Sequence, residues 1–107
     1  MNWMRILKNE DEMKNEFFNV IRREYENMGW AKADEYGLPS EYTEEGYPEF
    51  LIQEYEKEID EGLSVVDAII NEIKENEIVL HSHLKDNETE KAMYVRDFIN
   101  ELKALLA

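Results

Sequence analysis

Two histidines lie close together in the chain and are the first candidates for chemistry, because imidazole is a common metal ligand. His81 and His83 lie about 200° apart on a helix and cannot share a face, whereas on a strand they could. Glu77 and His81, at i and i+4, could give two ligands, but a zinc site needs a third from elsewhere. A calcium loop over residues 41–52 fails because Ile52 stands where a bidentate glutamate is required. We therefore expect no metal site and expect both histidines to be exposed near a helix end.

Pairs of carboxylates could perform acid–base chemistry or bind a metal, and the chain has 26 acids. Two Glu-x-x-Glu patterns, Glu58/Glu61 and Glu72/Glu75, resemble the metal-binding pairs of all-α nucleotide pyrophosphohydrolases. The resemblance implies carboxylates on a shared inner face, with basic residues to hold the phosphates. We expect Glu58 and Glu61 instead to flank a buried stripe or to face water, in a region with one lysine. The sequence therefore predicts no catalytic residue and no cofactor, and a metal-dependent nucleotide hydrolase is the third alternative.

The net charge of −14 is concentrated in the middle of the chain. Residues 1–32 hold six acids and six bases, residues 33–63 hold eleven acids and one base, and residues 64–107 hold nine acids and five bases. Acidity that served only solubility would be spread more evenly over the surface. A concentrated negative field repels nucleic acid and anionic membrane and attracts basic surfaces. We expect a basic protein partner, with no direct binding of nucleic acid or membrane.

The charge density of the second predicted helix is close to that of a nucleic-acid strand. Six acids fall within residues 49–61, which at about 1.5 Å rise per residue gives one charge per roughly 3 Å of axis. A single nucleic-acid strand carries one charge per about 3.4 Å. Glu54/Glu58 and Glu56/Asp60 are like-charge pairs at i, i+4, and each pair destabilises a helix by a few tenths of a kcal/mol.

Tyrosines accompany these acids in a segment where helix packing does not require them. Tyrosine combines a large contact area with a polar tip and is frequent at interface hot spots. The alternative is that the rings only hold a long loop on the protein while the acids face water. The predicted partner-binding residues are Glu35, Tyr36, Glu41, Tyr42, Glu44, Glu45, Tyr47, Glu49, Glu54, Glu56, Glu58, Asp60 and Glu61.

These features predict a small acidic, non-enzymatic interaction protein. Its most concrete form is an inhibitor that mimics nucleic acid and occupies the basic groove of a nucleic-acid-acting or defence protein. Small acidic domains without cysteine are common among virus-encoded antagonists of host defence, which is an association of class and not of residues. The alternative is an all-α adaptor or oligomeric subunit whose acidity serves solubility. In that case the protein could form a homo-oligomer.

The elements that position these residues are read from the period of the apolar side chains. One helix covers residues 10–28, with Asn9 as its cap and Gly29 as its stop. A second begins at Pro48 and ends at Glu61 before a glycine. A short helical turn is predicted upstream, formed by Trp3, Met4, Ile6 and Leu7.

Two further helices follow in the second half of the chain. The third begins at Ser64, whose hydroxyl and Asp67 form a capping box. The fourth begins after Asn87, with Glu90 at the reciprocal capping position. Residues 77–83 alternate between apolar and polar side chains, so a short strand is the alternative for that stretch.

The apolar stripes predict the core, which includes Leu51, Ile52, Tyr55 and Ile59 of the second helix. The third helix contributes Val66, Ile69, Ile70, Ile73, Leu80 and Leu84. The fourth contributes Val95, Phe98, Ile99, Leu102, Leu105 and Leu106.

The fold class that follows is all-α. We predict a compact single-domain bundle of about four main helices over residues 1–107, with one irregular acidic connector at about 29–47. The absence of cysteine excludes a disulfide scaffold. The first residues lack the apolar segment of a signal peptide, and no run approaches the roughly 20 apolar residues that span a bilayer. We expect a cytoplasmic protein.

Overall fold

The computed structural model describes residues 9–32 and 41–107, and these residues form an all-α bundle as predicted. Two short 3-10 turns, Gly29–Lys32 and Glu41–Thr43, lie within the connector. The α-helices in these two stretches are α1 (Glu10–Met28), α2 (Tyr47–Asp60), α3 (Val65–Lys85) and α4 (Thr89–Leu105).

One sequence alternative is decided by these bounds, and one prediction is not tested by them. Residues 77–83 lie inside α3, so the strand alternative is wrong. The turn predicted from Trp3 to Leu7 lies outside the described residues. Among the described helices, none is long and apolar enough to cross a membrane.

Local hydrogen bonds at the helix ends explain where most helices begin and stop. The Asn9 side chain accepts a bond from the Asp11 N–H at 2.8 Å, and the Ser64 hydroxyl accepts one from the Asp67 N–H at 3.0 Å. Each satisfies one backbone donor that the first helical turn leaves unpaired. Gly62 follows α2 with φ +117°, and its N–H donates to the Ile59 carbonyl at 3.0 Å. Asn9 and Ser64 are therefore confirmed as helix caps, and Gly62 is confirmed as the glycine that ends α2.

The predicted start of α4 is wrong, because Asn87 ends α3 and does not cap α4. Asn87 has φ +61°, a left-handed conformation that asparagine tolerates better than most residues. Its N–H donates to the Leu84 carbonyl at 3.3 Å, and the Glu88 N–H donates to the His83 carbonyl at 2.8 Å. This pair of bonds is a Schellman motif. α4 then begins after Glu88 without a side-chain cap.

The core lies where one face of each helix meets the others. Ile69, Ile73, Ile99 and Leu102 are buried, as the apolar periods predicted. α1 contributes Phe17 and the residues that follow on its inner face, including Val20, Ile21, Tyr25 and Met28.

The buried face of α3 is rotated from the one predicted. Val66 and Leu84 are 43% and 47% exposed, so their assignment to the core is wrong. Val65 and Ala68 are buried in their place, together with the polar residues Glu72 and Asn76. The period of large apolar residues failed here because two of the inward positions carry polar side chains. Leu106, which follows the end of α4, is also exposed.

Gly29 follows the end of α1, but glycine is needed there for a different reason from the predicted one. Its φ of −54° is helical, so it is not a left-handed stop. A Cβ atom at this position would overlap the backbone carbonyl of Tyr42. Glycine is therefore needed because the connector passes directly over the end of α1.

Candidate functional site

Nine acids between residues 41 and 61 are all exposed at the surface, and we call them the acidic face. Three lie in the connector before α2, and the others lie on α2 or directly after it. Glu35 and Tyr36, which were also predicted to bind a partner, lie outside the described residues. The acidic face consists of Glu41, Glu44, Glu45, Glu49, Glu54, Glu56, Glu58, Asp60 and Glu61.

α2 carries its acids on both flanks of the stripe that it buries. Ile52 and Tyr55 are its buried residues. Because an α-helix has 3.6 residues per turn, the acids fall into two rows beside that stripe. The charges therefore wrap around the helix and do not form a single line. One row is Glu49, Glu56 and Asp60, and the other is Glu54 and Glu58.

Only one acid of this face forms an ion pair within the described part of the chain. Glu49 accepts hydrogen bonds from Arg22 Nε at 2.7 Å and Nη2 at 3.4 Å, which join α2 to α1. This guanidinium holds the pKa of the Glu49 carboxyl below its usual range. The other eight acids have no ion-pair partner among residues 9–32 and 41–107. Their charges remain available to an external partner.

The row facing α3 borders a shallow groove of about 250 Å³. Glu54 and Glu58 line it from α2, and Asn71 and Glu75 line it from α3. Partial burial, followed by the nearby Glu72 carboxyl, raises the pKa of Glu75, although Lys32 opposes that shift. The acidic surface of α2 therefore continues onto α3.

Two predicted partner-binding tyrosines, one in the connector and one at the start of α2, lie against the core. Tyr42 and Tyr47 are half-buried, and their rings meet edge to face with centroids 5.3 Å apart. Tyr47 also contacts the Tyr25 ring at 5.5 Å and the Phe50 ring at 6.2 Å. These contacts hold the connector on the bundle, as the alternative interpretation proposed. Both rings keep an exposed part, so their role in binding stays a prediction.

A buried polar cluster, absent from the sequence-based site, lies beneath the connector. It joins Tyr25 of α1, Lys32, Tyr55 of α2, and Glu72 and Asn76 of α3. Glu72 is only 1% exposed. Its carboxyl accepts hydrogen bonds from the Tyr55 hydroxyl at 2.7 Å, the Asn76 amide at 2.8 Å and the Tyr25 hydroxyl at 3.2 Å. Three helices therefore share one hydrogen-bonded carboxyl group.

Lys32 attaches the connector to this cluster. Its Nζ donates to the Tyr25 hydroxyl at 3.1 Å and lies 4.3 Å from the centroid of the Tyr42 ring. An ammonium over a tyrosine ring is attracted by the negative face of the ring. Burial lowers the pKa of Lys32, and the Glu72 and Glu75 carboxyls partly oppose that shift. The connector is therefore fixed by a cation as well as by apolar packing.

The tyrosine hydroxyls of the cluster are held in their protonated form. Burial, and then the neighbouring Glu72 carboxyl, raise the pKa of Tyr25 and of Tyr55 far above the usual value near 10. A phenolate at either position would face this carboxyl without solvent. Both hydroxyls are therefore hydrogen-bond donors, and their role is structural.

The two histidines differ in exposure, which corrects the prediction that both lie at the surface. His81 is exposed, whereas His83 is 7% exposed. His83 Nδ1 lies 3.3 Å from Glu88 Oε1, and Glu88 also pairs with Lys91 at 3.0 Å. His83 is buried because the Schellman turn folds the start of α4 against the end of α3.

The Glu-x-x-Glu patterns occupy unlike environments. Glu58 and Glu61 are exposed, Glu72 is buried under two tyrosines, and Glu75 is at the surface. Across the two described stretches, no group of three or more histidine and acidic side chains is arranged to hold a metal ion. The single buried carboxyl of the four is engaged by protein donors.

The sequence held one signal for the buried polar cluster. Glu72 and Asn76 are separated by four residues and point to the same face of α3 as Ile69 and Ile73. The two tyrosine partners lie 47 and 17 residues from Glu72, so only the tertiary structure identifies them.

No family model matches this chain, and comparisons with curated proteins and with solved structures gave no match.

Proposed function

We propose that this protein is a non-enzymatic interaction protein that presents its acidic face to a basic surface of another protein. The observation that carries the proposal is that most negative charges of this face are not paired with a base within the described residues. Eight of its nine acids are exposed and have no ion-pair partner within the described residues. Unpaired like charges on one helix destabilise it slightly, so they add nothing to the fold. A basic partner would convert that repulsion into attraction.

The division between buried and exposed acids supports the same proposal. The fold uses Glu72, with three donors on one buried carboxyl. It does not use Glu54, Glu56 or Glu58, whose side chains contribute neither packing nor ion pairs within the described chain. A charge that the fold does not need is free to serve binding.

The finer form of the proposal is an inhibitor that occupies a nucleic-acid-binding groove. Proteins that bind nucleic acid make most of their contacts to phosphates through lysine and arginine. An exposed helix with a charge about every 3 Å offers such a groove a similar linear density. Competition with nucleic acid is therefore the expected mode of action.

A second candidate function is helix-mediated assembly, in which acidity serves solubility. Its basis is the set of large apolar residues exposed on α3, Val66, Ile78 and Leu84, of which Ile78 is 72% exposed. Self-association through these exposed side chains would persist at high salt, since burial of apolar surface is not screened.

The test is competition for nucleic acid. Proteins from the native host are captured on the immobilised protein at low salt, and each captured protein is purified. Its binding to a fluorescent oligonucleotide is then followed by anisotropy while the acidic protein is added. We expect displacement of the oligonucleotide, weakening steeply between 50 and 300 mM salt, values chosen to span the Debye screening range of about 14 to 6 Å.

Two results would contradict the inhibitor. If every captured protein keeps its oligonucleotide at saturation, nucleic-acid mimicry is wrong. If capture is unchanged by salt and the protein sediments as an oligomer, the assembly function replaces the acidic-face proposal.

A further inference from the structure

A second groove, larger than the one beside α3, lies between the end of α1 and the connector, and we call it the aromatic groove. Its volume is about 550 Å³. Aromatic side chains from three places in the chain form its walls: Tyr25 of α1, Trp30 of the first 3-10 turn, and Tyr42 of the second. Trp30 is 39% exposed, and its ring is held edge to face by Tyr94 at 5.2 Å.

The rim of the aromatic groove is acidic. Glu26 lines it from α1, and Glu44, Glu45 and Glu49 line it from the connector and α2. Glu49 is neutralised by Arg22, the one base among the described residues that line the groove. Glu26, Glu44 and Glu45 have no ion pair within the described residues. The groove therefore carries an uncompensated negative charge.

Aromatic walls and a negative rim together select a cation. The face of an aromatic ring is electron-rich and attracts cations, whereas it repels carboxylates. The walls already hold one cation from within the protein, since Lys32 Nζ lies 4.3 Å from the Tyr42 centroid and 5.4 Å from the Tyr25 centroid. Lys32 is buried and does not line the groove. The charge of the rim is thus left for an external ligand.

We propose that the aromatic groove receives the guanidinium group of an arginine side chain from the basic partner. This rests on the proposed function and names the chemistry of one contact within it. Arginine is favoured over lysine because its planar group stacks on an indole ring and donates paired hydrogen bonds to carboxylates. Trp30 supplies the exposed ring, and Glu26 of α1 and Glu45 of the connector supply carboxylates.

The experiment uses Trp30 as its own reporter. The chain has two tryptophans, so Trp3→Phe leaves Trp30 as the single one. The probe is a capped glycine-rich pentapeptide with two arginines, titrated at low salt while Trp30 fluorescence is recorded. Matched peptides carry lysine or citrulline, which is similar in shape to arginine but neutral. We expect a saturable change with arginine, several-fold weaker binding with lysine, and at least tenfold weaker binding with citrulline.

Paired charge-neutral variants separate the groove from general attraction. Glu26→Gln with Glu45→Gln removes two rim charges, and Glu56→Gln with Glu58→Gln removes two charges of α2 that do not line the groove. Both variants change the net charge equally. We expect at least fivefold weaker binding for the rim variant and less than twofold for the α2 variant. Circular dichroism of both variants checks that the helices are intact.

Each other outcome rejects the aromatic groove as an arginine-binding site. Equal weakening by both variants means that arginine binds by diffuse charge, which leaves the acidic-face proposal intact. No saturable change in Trp30 fluorescence, or equal binding of citrulline, also rejects the site. Failure of the acidic face itself is seen separately, in the competition with oligonucleotide.

Discussion

Glutamate has different roles in the buried polar cluster and on the acidic face. Glu72 is surrounded by three hydrogen-bond donors on helices that it joins together. The acids of the acidic face are exposed, and all except Glu49 lack an ion pair in the described chain. The difference is one of environment, because a buried carboxyl group needs partners whereas an exposed one is solvated. Stability and binding should therefore respond to different glutamates.

The largest loss of stability is expected when Glu72, whose carboxyl is at the centre of the buried polar cluster, is replaced. Glu72→Ala leaves two buried hydroxyls without their acceptor and leaves the Asn76 amide only its bond to the backbone carbonyl of residue 72. We expect the free energy of unfolding to fall by about 3–5 kcal/mol. Urea unfolding followed by circular dichroism measures this loss. Glu58→Ala, an exposed acid, is the matched control and should change stability by less than about 0.5 kcal/mol. Similar losses for both variants would remove the distinction between the two regions.

The next largest loss of stability is expected at Gly29, where the connector passes close to the end of α1. In Gly29→Ala the added methyl group overlaps the Tyr42 carbonyl, so the connector or the helix end shifts. We expect a loss of about 1–3 kcal/mol, the range found for overpacked sites. Asn27→Ala, an exposed change in the last turn of α1, should be nearly neutral. A stable Gly29→Ala protein with unchanged Trp30 fluorescence would show that the close approach is not required.

The third effect is an alkaline loss of stability, to which the tyrosines of the buried polar cluster contribute together with the half-buried Tyr42 and Tyr47, whose pKa values burial also raises. The pKa values of Tyr25 and Tyr55 are raised in the folded protein, so their contribution is present below about pH 10 and is lost above it, as the unfolded tyrosines ionise. Lys32 acts in the opposite direction, because its lowered pKa makes stability rise with pH until about 10.5. We expect unfolding free energy to fall steeply above that value.

Tyr55→Phe tests the origin of this pH dependence. It removes the 2.7 Å hydrogen bond to Glu72 and should cost about 1 kcal/mol at pH 7. It should also reduce the slope of stability against pH above 10.5, measured by urea unfolding at several pH values. Tyr94→Phe, on the exposed side of α4, is the control. A slope equal to that of the unmodified protein would place the alkaline transition elsewhere.

The smallest change in stability is expected at Glu75, which lies between the buried polar cluster and the acidic face. Its pKa is raised, so its ionised form is less favourable in the folded protein than in the unfolded chain. This contribution to stability is present below about pH 4.3, the usual value for glutamate, and is lost as pH rises through the folded pKa. We expect Glu75→Gln to raise the melting temperature slightly at pH 7 and to have no such effect at pH 3.5. A decrease at pH 7 would show that its attraction to Lys32 prevails.

The sequence predicted what is decided locally. Asn9, Ser64 and Gly62 act within one turn of their own positions, and their roles were confirmed. Asn87 was misassigned because asparagine is favoured both at the start of a helix and in the left-handed residue after one. Residue type alone does not distinguish these two roles.

What the sequence missed depends on contacts between distant residues. Glu72 is one of 26 acids, and its spacing from Ile69 and Ile73 places it on their face of α3, but nothing in the sequence identifies the two tyrosines that surround it. The rotated face of α3 has the same origin, since a polar side chain counts as outward until its partners are known. The exposed acids needed no partner in the fold, so their placement at the surface could be predicted.

The most direct test of the proposed division is the affinity of a charge-reversed protein for its captured partner. Glu54→Lys with Glu58→Lys places two bases one helical turn apart on α2, while Ile52 and Tyr55 still pack. Asp86→Lys with Asp97→Lys is the matched control, because both substituted acids are exposed and lie at the end of α3 and on α4. Each substitution changes the charge by two, so both variants carry −10 in place of −14.

We expect the α2 variant to unfold at the same urea concentration as the unmodified protein, within about 0.5 kcal/mol. Its affinity for the partner should fall at least tenfold at low salt, and the control should lose less than threefold. Isothermal titration calorimetry at 50 mM salt gives both affinities. Normal binding by the α2 variant, with its fold intact, would contradict the account and leave the acidic face as solvated surface.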